Sequence, residues 1–290
     1  MSENLIHPQA LCQPGSIGQG TTVAAFVTVD PSARIGVDCV VQAGVRIGAG
    51  VEIGDRVKIG ENAVLSGGSV GDAPPTRILD GAQIGSNATV LPGLTIGAEA
   101  IIAPGSLVSH TVPTYAEVAG NPALIQGYVD SPMLTEVIEP GDQPHAGSKQ
   151  PRDTSVRGVQ IHYLNSVGDL RGMLAASEFT KEMPFTPQRC FMVYDVPSAK
   201  VRGEHAHRAC HQLLLCVHGS CTVMADDGEN RQTFELSGPA RGLYLPPMTW
   251  ASQYNYSGDG VLLVFASHPY DSDDYIRDYP VFLQELRTSN

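Results

Sequence analysis

The sequence predicts a mainly β chain of two domains, a coil of short parallel strands followed by a strand-rich barrel. Three observations lead there. Aliphatic residues recur every six positions, at Ile17, Val23, Val29, Ile35, Val41, Ile47, Ile53, Ile59 and Leu65. A stretch rich in Pro, Gly, Asp and Ser, without periodicity, fills 129–156. From 157 onward, short β-prone runs alternate with turn residues at a spacing of about ten. The domains expected are therefore 1–128 and 157–290, with 129–156 as linker and His145 solvated within it.

In the first domain the aliphatic is often followed by Gly, as in Ile35-Gly36, Ile47-Gly48 and Ile53-Gly54. That suits a chain that turns a corner after each inward residue, so three repeats close one triangular coil. The series resumes at Ile84, Val90, Ile96, Ile102 and Val108, and the step from Leu65 to Ile84 is out of phase. Residues 66–83 are expected as a loop pushed out of the coil, and loops on a rigid scaffold carry chemistry. Periodicity alone leaves a purely structural coil open.

The run "IGSNATVLPGLTIGAEAIIAPGSLVSHTVPTYAEVAGNPA" at 84–123 resembles the final coils of the hexapeptide-repeat acyltransferases, left-handed parallel β-helix enzymes. The resemblance implies a trimer that binds acetyl-CoA between neighbouring solenoids, its pantetheine near Ala103, Asn121 and Pro122. Many such enzymes use a histidine base, but none lies between His7 and His110. Members that acetylate nucleotide-linked amino sugars carry an Asn-Asp pair in this loop, and "SGGSVGDAPPTR" offers only Asp72. Asp72 is the candidate for orienting an amine that arrives deprotonated; capping a turn is its alternative role. An inactive solenoid that serves as a scaffold also stays open.

In the second domain Asp227-Gly228 marks a hairpin between apolar strands, and "YDSDDYIRDYPVFLQEL" suggests a closing helix. The segment "HAHRACHQLLLCVHG" matches the spacing of the first cupin motif at His205, His207 and Gly219, but Gln212 stands where the acidic ligand belongs. In the second motif region, "LPPMTWASQ", Met248 replaces Gly and Ala251 replaces His. Two of four ligands are missing, so no metal is expected. Strand alternation sends His205, His207 and His211 to one face and His218 to the other. Two inward histidines beside a neutral amide suit proton transfer next to a ketone, the alternative being packed core histidines.

"VRGEHAHRACHQLLLCVHGSCTVMADDG", "GLYLPPMTW" and "LLVFASHPYDSDDYIRDYPVF" together resemble the metal-free cupin sugar 3,4-ketoisomerases that act on dTDP-4-keto-6-deoxyglucose. The resemblance implies that His205 and His207 carry the proton transfers. It also implies that Arg202, Tyr194, Arg208, Gln212 and Tyr254 line the sugar or its pyrophosphate. Ala251, after the Trp, departs from the polar residue common there.

Together the halves resemble bifunctional enzymes of deoxyamino-sugar biosynthesis, with dTDP-sugars and acetyl-CoA as partners. A trimer, or a hexamer built as a dimer of trimers, satisfies both halves. A non-catalytic sugar-nucleotide binder is the remaining alternative. The net charge of −12 argues against nucleic acid or an anionic membrane as partner. Six scattered cysteines, no signal-like start and no apolar run near the ~20 residues of a membrane span give the expectation of a cytoplasmic chain with reduced thiols.

Overall fold

From Val23 onward, each aliphatic of the six-residue series closes a two-residue strand, the last being Leu107–Val108. Its side chain points inward: Ile35, Val41, Ile47, Ile53 and Ile59 are no more than 5% exposed. The residue before it points out, which is why Arg34, Arg46, Glu52 and Lys58 are tolerated there. Strands eighteen residues apart stack in parallel, Val23 on Val41 on Ile59, and build the three sheets of a triangular coil. A second inward series, Val27, Ala33, Cys39, Val45, Val51, Val57 and Ala63, lies two residues before the first and is wholly buried. The coils stack so closely that a Cβ on Gly36 would lie 2.4 Å from the Gly54 carbonyl oxygen, which explains the glycine after the aliphatic.

The computed structural model describes residues 4–68, 74–130, 133–134, 150–181, 183–197 and 200–289. The later part of the expected loop 66–83 belongs to the coil. Strand Arg77–Ile78 pairs with Glu52–Ile53 on one side and Thr95–Ile96 on the other, so the repeat resumes by 76. The insertion is close to one repeat in length, so counting by sixes steps over Ile78. Buried Thr76 ties the loop's root: its Oγ1 donates to the Ser66 carbonyl at 2.8 Å and accepts the Gly93 N–H at 2.9 Å. Asp72 lies outside the described residues. An antiparallel hairpin, Ala116–Gly120 with Ala123–Tyr128, ends this unit, and Asn121 and Pro122 form its turn.

The chain divides into two compact units, Met1–Val129 and Asp130–Asn290. The second holds two six-stranded sheets. One is centred on Ser220–Asp226, Arg231–Ser237, Trp250–Tyr254 and Arg202–His207; the other on Gln160–Tyr163, Arg241–Leu245, Gln212–His218, Val261–Ala266 and Arg189–Val193. Val223, Phe234 and Leu236 from the first meet Leu214, Leu243 and Leu262 from the second in one core. Helix Tyr279–Ser289 closes the outside of the first sheet, with Tyr279 and Phe282 against Trp250. A separate hairpin, Asn165–Asp169 with Gly172–Ala176, forms a two-stranded sheet of its own. No helix among the described residues is long and apolar enough to cross a membrane.

Candidate active site

A backbone irregularity aims the two histidines. In strand Arg202–His207, Arg202 pairs with Gln253, Gly203 with Ser252 and His205 with Ala251, so Glu204 is the extra residue of a bulge. Gly203 and Glu204 both take left-handed φ, 80° and 55°. Without the bulge, Arg202 and His205 would face opposite sides of the sheet; with it, Arg202, His205 and His207 share one face. That face belongs to a pocket lined by His205, His207, Cys210, Gln212, Thr249, Ala251 and Gln253, with Leu245 and Pro246 at its apolar side.

Inside the pocket the imidazole rings are 5.0 Å apart and nearly perpendicular, and Tyr275 packs 4.3 Å from His207. His207 is held at both nitrogens. Nδ1 lies 2.6 Å from Asp274 Oδ2, and Nε2 lies 3.1 Å from the Gln212 side-chain amide nitrogen. Asp274 Oδ1 accepts the Ala209 N–H at 2.7 Å.

These contacts set the protonation states. Burial, with smaller pushes from His207 and Arg277, lowers His205 to about 4. Burial also lowers His207, although Asp274 opposes the shift by hydrogen bond and charge. Burial alone would raise Asp274, but the bonds from His207 and Ala209 overcome it and leave the carboxyl below its usual range. At neutral pH both rings are therefore uncharged beside an ionised carboxylate.

The position of the acidic cupin ligand, Gln212, touches His207, and the position of the missing histidine, Ala251, is the cross-strand neighbour of His205. A neutral amide and a methyl group leave that set two ligands short. His207, Cys210 and Asp274 do bring a ring nitrogen, a thiol sulfur and a carboxylate oxygen within 4.8 Å of one another. Their shortest link is the His207–Asp274 hydrogen bond, and the arrangement is that of a carboxylate–imidazole dyad with a thiol beside it. Met248, which stands for the motif's glycine, holds φ 57°, the left-handed conformation that glycine favours.

The remaining predicted residues fall in different places. Arg202 shares a face with pocket-lining Gln253 and is exposed at the rim. Tyr194 is 62% exposed, outside the pocket lining. Tyr254 is buried on the sheet face opposite Ala251 and Gln253, because alternation turns it away. Arg208 bonds Glu285 at 2.5 Å and the carbonyls of Asp273 and Tyr275, which makes it a clamp on that segment. His211 does not share the His205 face: the strand ends at His207, and His211 instead bonds Tyr244 Oη at 2.6 Å on the far side of its sheet. His218 pairs with exposed Asp259 at 3.2 Å. In the first unit, the Ala103 N–H donates to the Val118 carbonyl at 2.9 Å in the last coil, while Asn121 and Pro122 are exposed in the terminal turn.

Three residues went unread in the sequence: Asp274, Arg277 and Arg189. The Arg277 guanidinium lies 4.3 Å over the Tyr275 ring, and Arg189 lies 5.6 Å over Tyr270. Both are close enough to depress His207. Arg189 Nε is buried without a hydrogen-bond partner among the described residues.

Different stretches of the chain match different known families. Residues 157–287 match the family described as WxcM-like, C-terminal, and residues 32–67 and 75–110 match the bacterial transferase hexapeptide (six repeats). The TDP-4-oxo-6-deoxy-alpha-D-glucose-3,4-oxoisomerase of Aneurinibacillus thermoaerophilus is 41% identical over 122 residues, 42% of this chain and 88% of that protein. A 3,4-ketoisomerase structure from Helicobacter canadensis shares 36% identity over 45% of this chain and 98% of its own, with a TM-score of 0.44. A structure of a mutant perosamine N-acetyltransferase from Caulobacter crescentus, with CoA and GDP-perosamine, shares 30% identity over 43% of this chain and 57% of its own, with a TM-score of 0.40. Through its second unit the chain belongs to the WxcM-like family that includes the sugar-nucleotide 3,4-oxoisomerases, and ahead of that unit it carries the hexapeptide repeats of bacterial transferases.

Proposed function

We propose that the second unit isomerises dTDP-4-keto-6-deoxyglucose to the 3-ketone, and that the first transfers an acetyl group from acetyl-CoA to the amine of a dTDP-3-amino-3,6-dideoxyhexose. The observation that carries the isomerase reading is the neutral His205–His207 pair, with His207 hydrogen-bonded to Asp274, inside the barrel pocket. The C4 ketone acidifies the C3–H. His207 takes that proton, the C–H electron pair becomes the C3–C4 double bond, and the carbonyl pair moves to O4. Proton return to C4, with loss of the O3 proton, leaves the ketone at C3. Neutral His205 and Gln212 are hydrogen-bonding groups for the enediolate. No metal enters this scheme, and the ligand positions held by Gln212 and Ala251 agree with that.

Arg202, Arg189 and Arg277 are the cations we assign to the diphosphate, since the Arg208 fork is taken by Glu285. For the first unit, the transferase repeats support group transfer; we assign acetyl transfer to the last coils, near Ala103, Asn121 and Pro122, with Asp72 orienting the amine. The working form is a cytoplasmic trimer or a hexamer.

Proton NMR of dTDP-4-keto-6-deoxyglucose in D2O, with EDTA-treated protein, tests the isomerase. Wild type moves the ketone and places deuterium at C4, and His207→Asn does neither. Activity that returns only when a divalent metal is restored overturns the metal-free scheme. In the same mixture, acetyl-CoA turnover on the 3-amino sugar tests the first unit.

A further inference from the structure

Asp274 is built into its contact from several sides. Its backbone carbonyl accepts the Arg208 N–H at 2.9 Å, and its Oδ1 accepts the Ala209 N–H. The Arg208 guanidinium grips the carbonyls on either side of it, those of Asp273 and Tyr275. His207 and Tyr275 are cross-strand partners, so the segment that carries Asp274 is paired to the strand that carries the histidine. The Asp274 side chain is only 13% exposed.

An ionised carboxylate can only accept, so the proton in the 2.6 Å contact belongs to His207 Nδ1. A neutral ring then has its lone pair on Nε2, and the Gln212 amide offers an N–H to that atom. The other charged or titratable groups around the ring are His205, Cys210, Tyr275, Arg189 and Arg277. The arginines carry no acceptor atom, and the hydrogen bond that Nδ1 makes is the one to Asp274.

Building on the isomerase reading, we propose that Asp274 is a positioning residue: it fixes the Nδ1–H tautomer and the orientation of His207, so that Nε2 is the atom that accepts the C3 proton. Asp274 also stabilises the imidazolium at the moment it forms. It does not itself take the proton. A role confined to anchoring residues 272–277 would lower stability and weaken binding, but would leave the tautomer and the pH dependence of turnover unmoved.

The test compares full-length wild type, Asp274→Asn and Asp274→Ala, with Asp259→Asn as a surface His–Asp control. Turnover of dTDP-4-keto-6-deoxyglucose is followed from about pH 5 to about pH 9. In both Asp274 variants kcat is expected to fall about 100-fold with KM within about threefold, while the control stays at wild type. Removing the carboxylate removes a charge that holds the His207 pKa up, so the acid limb of residual kcat/KM moves to lower pH. Nitrogen-15 NMR of wild type is expected to show His207 protonated at Nδ1, with a downfield N–H resonance that Asp274→Ala loses. A wild-type proton on Nε2, or an Asp274→Asn enzyme with wild-type kcat and an unmoved acid limb, overturns the proposal. If wild type never moves the ketone, the isomerase reading is the one that fails; the nitrogen-15 tautomer still decides whether Asp274 sets His207.

Discussion

His205 is the side chain on which burial acts most plainly, and it makes stability depend on pH. Its pKa is pushed down to about 4, so the unfolded chain binds the proton more tightly than the folded one. Stability is then full well above the ordinary imidazole pKa and is lost as pH falls from there towards 4, with no further loss from this group below that. Between about pH 7 and about pH 5 this single group removes about 2 kcal/mol. Trp250, the chain's one tryptophan, lies in the barrel and reports its unfolding. Denaturant titrations at the two pH values should show wild type losing about that much more than His205→Asn; equal losses would mean that His205 titrates normally. The two histidines were legible in the sequence because their motif is local, two residues apart on one strand. Asp274 was not, since 67 residues separate it from His207 and only sheet pairing joins them. Among the acids of "DSDDYI", no pattern says which one turns inward.

The elements repeat that division between what is periodic and what breaks the period. The coil was readable because each aliphatic answers to the same geometry, whereas the end of its loop and the bulge at Glu204 are departures that a count by twos or sixes steps over. The bulge is also the element most exposed to a single change. Gly203 holds φ 80°, and a Cβ there would lie 2.8 Å from the Ala251 carbonyl oxygen, a backbone atom that cannot swing away. Gly203→Ala is therefore expected to cost about 2 kcal/mol or more and to turn His205 off its face, so that isomerase turnover falls even where the barrel stays folded. Trp250 fluorescence during unfolding, read beside the ketone-migration assay, checks both effects. A variant with wild-type stability and turnover would show that the bulge does not aim the histidine.

At the scale of the whole molecule, the hairpin Asn165–Asp169 and Gly172–Ala176 raises a question of association. Val167, Leu170, Met173 and Leu174 are all exposed on it, and among the described residues its two strands pair only with each other. An isolated two-stranded ribbon is marginal in water, and Val167 and Leu174, cross-strand partners on one face, with Leu170 in the turn, form an exposed apolar patch that favours burial against protein. The prediction is that the hairpin makes the contact between barrels and the solenoids the threefold contacts, so that a hexamer depends on the hairpin and a trimer does not. Leu170→Asp with Leu174→Asp places two charges in that patch without touching the pocket residues. Light scattering after size exclusion is expected to show wild type at six chains and the double variant at three, with acetyl transfer retained. A double variant that still runs as a hexamer would remove the hairpin from the interface, and one that runs as a monomer would mean that the solenoid does not trimerise by itself.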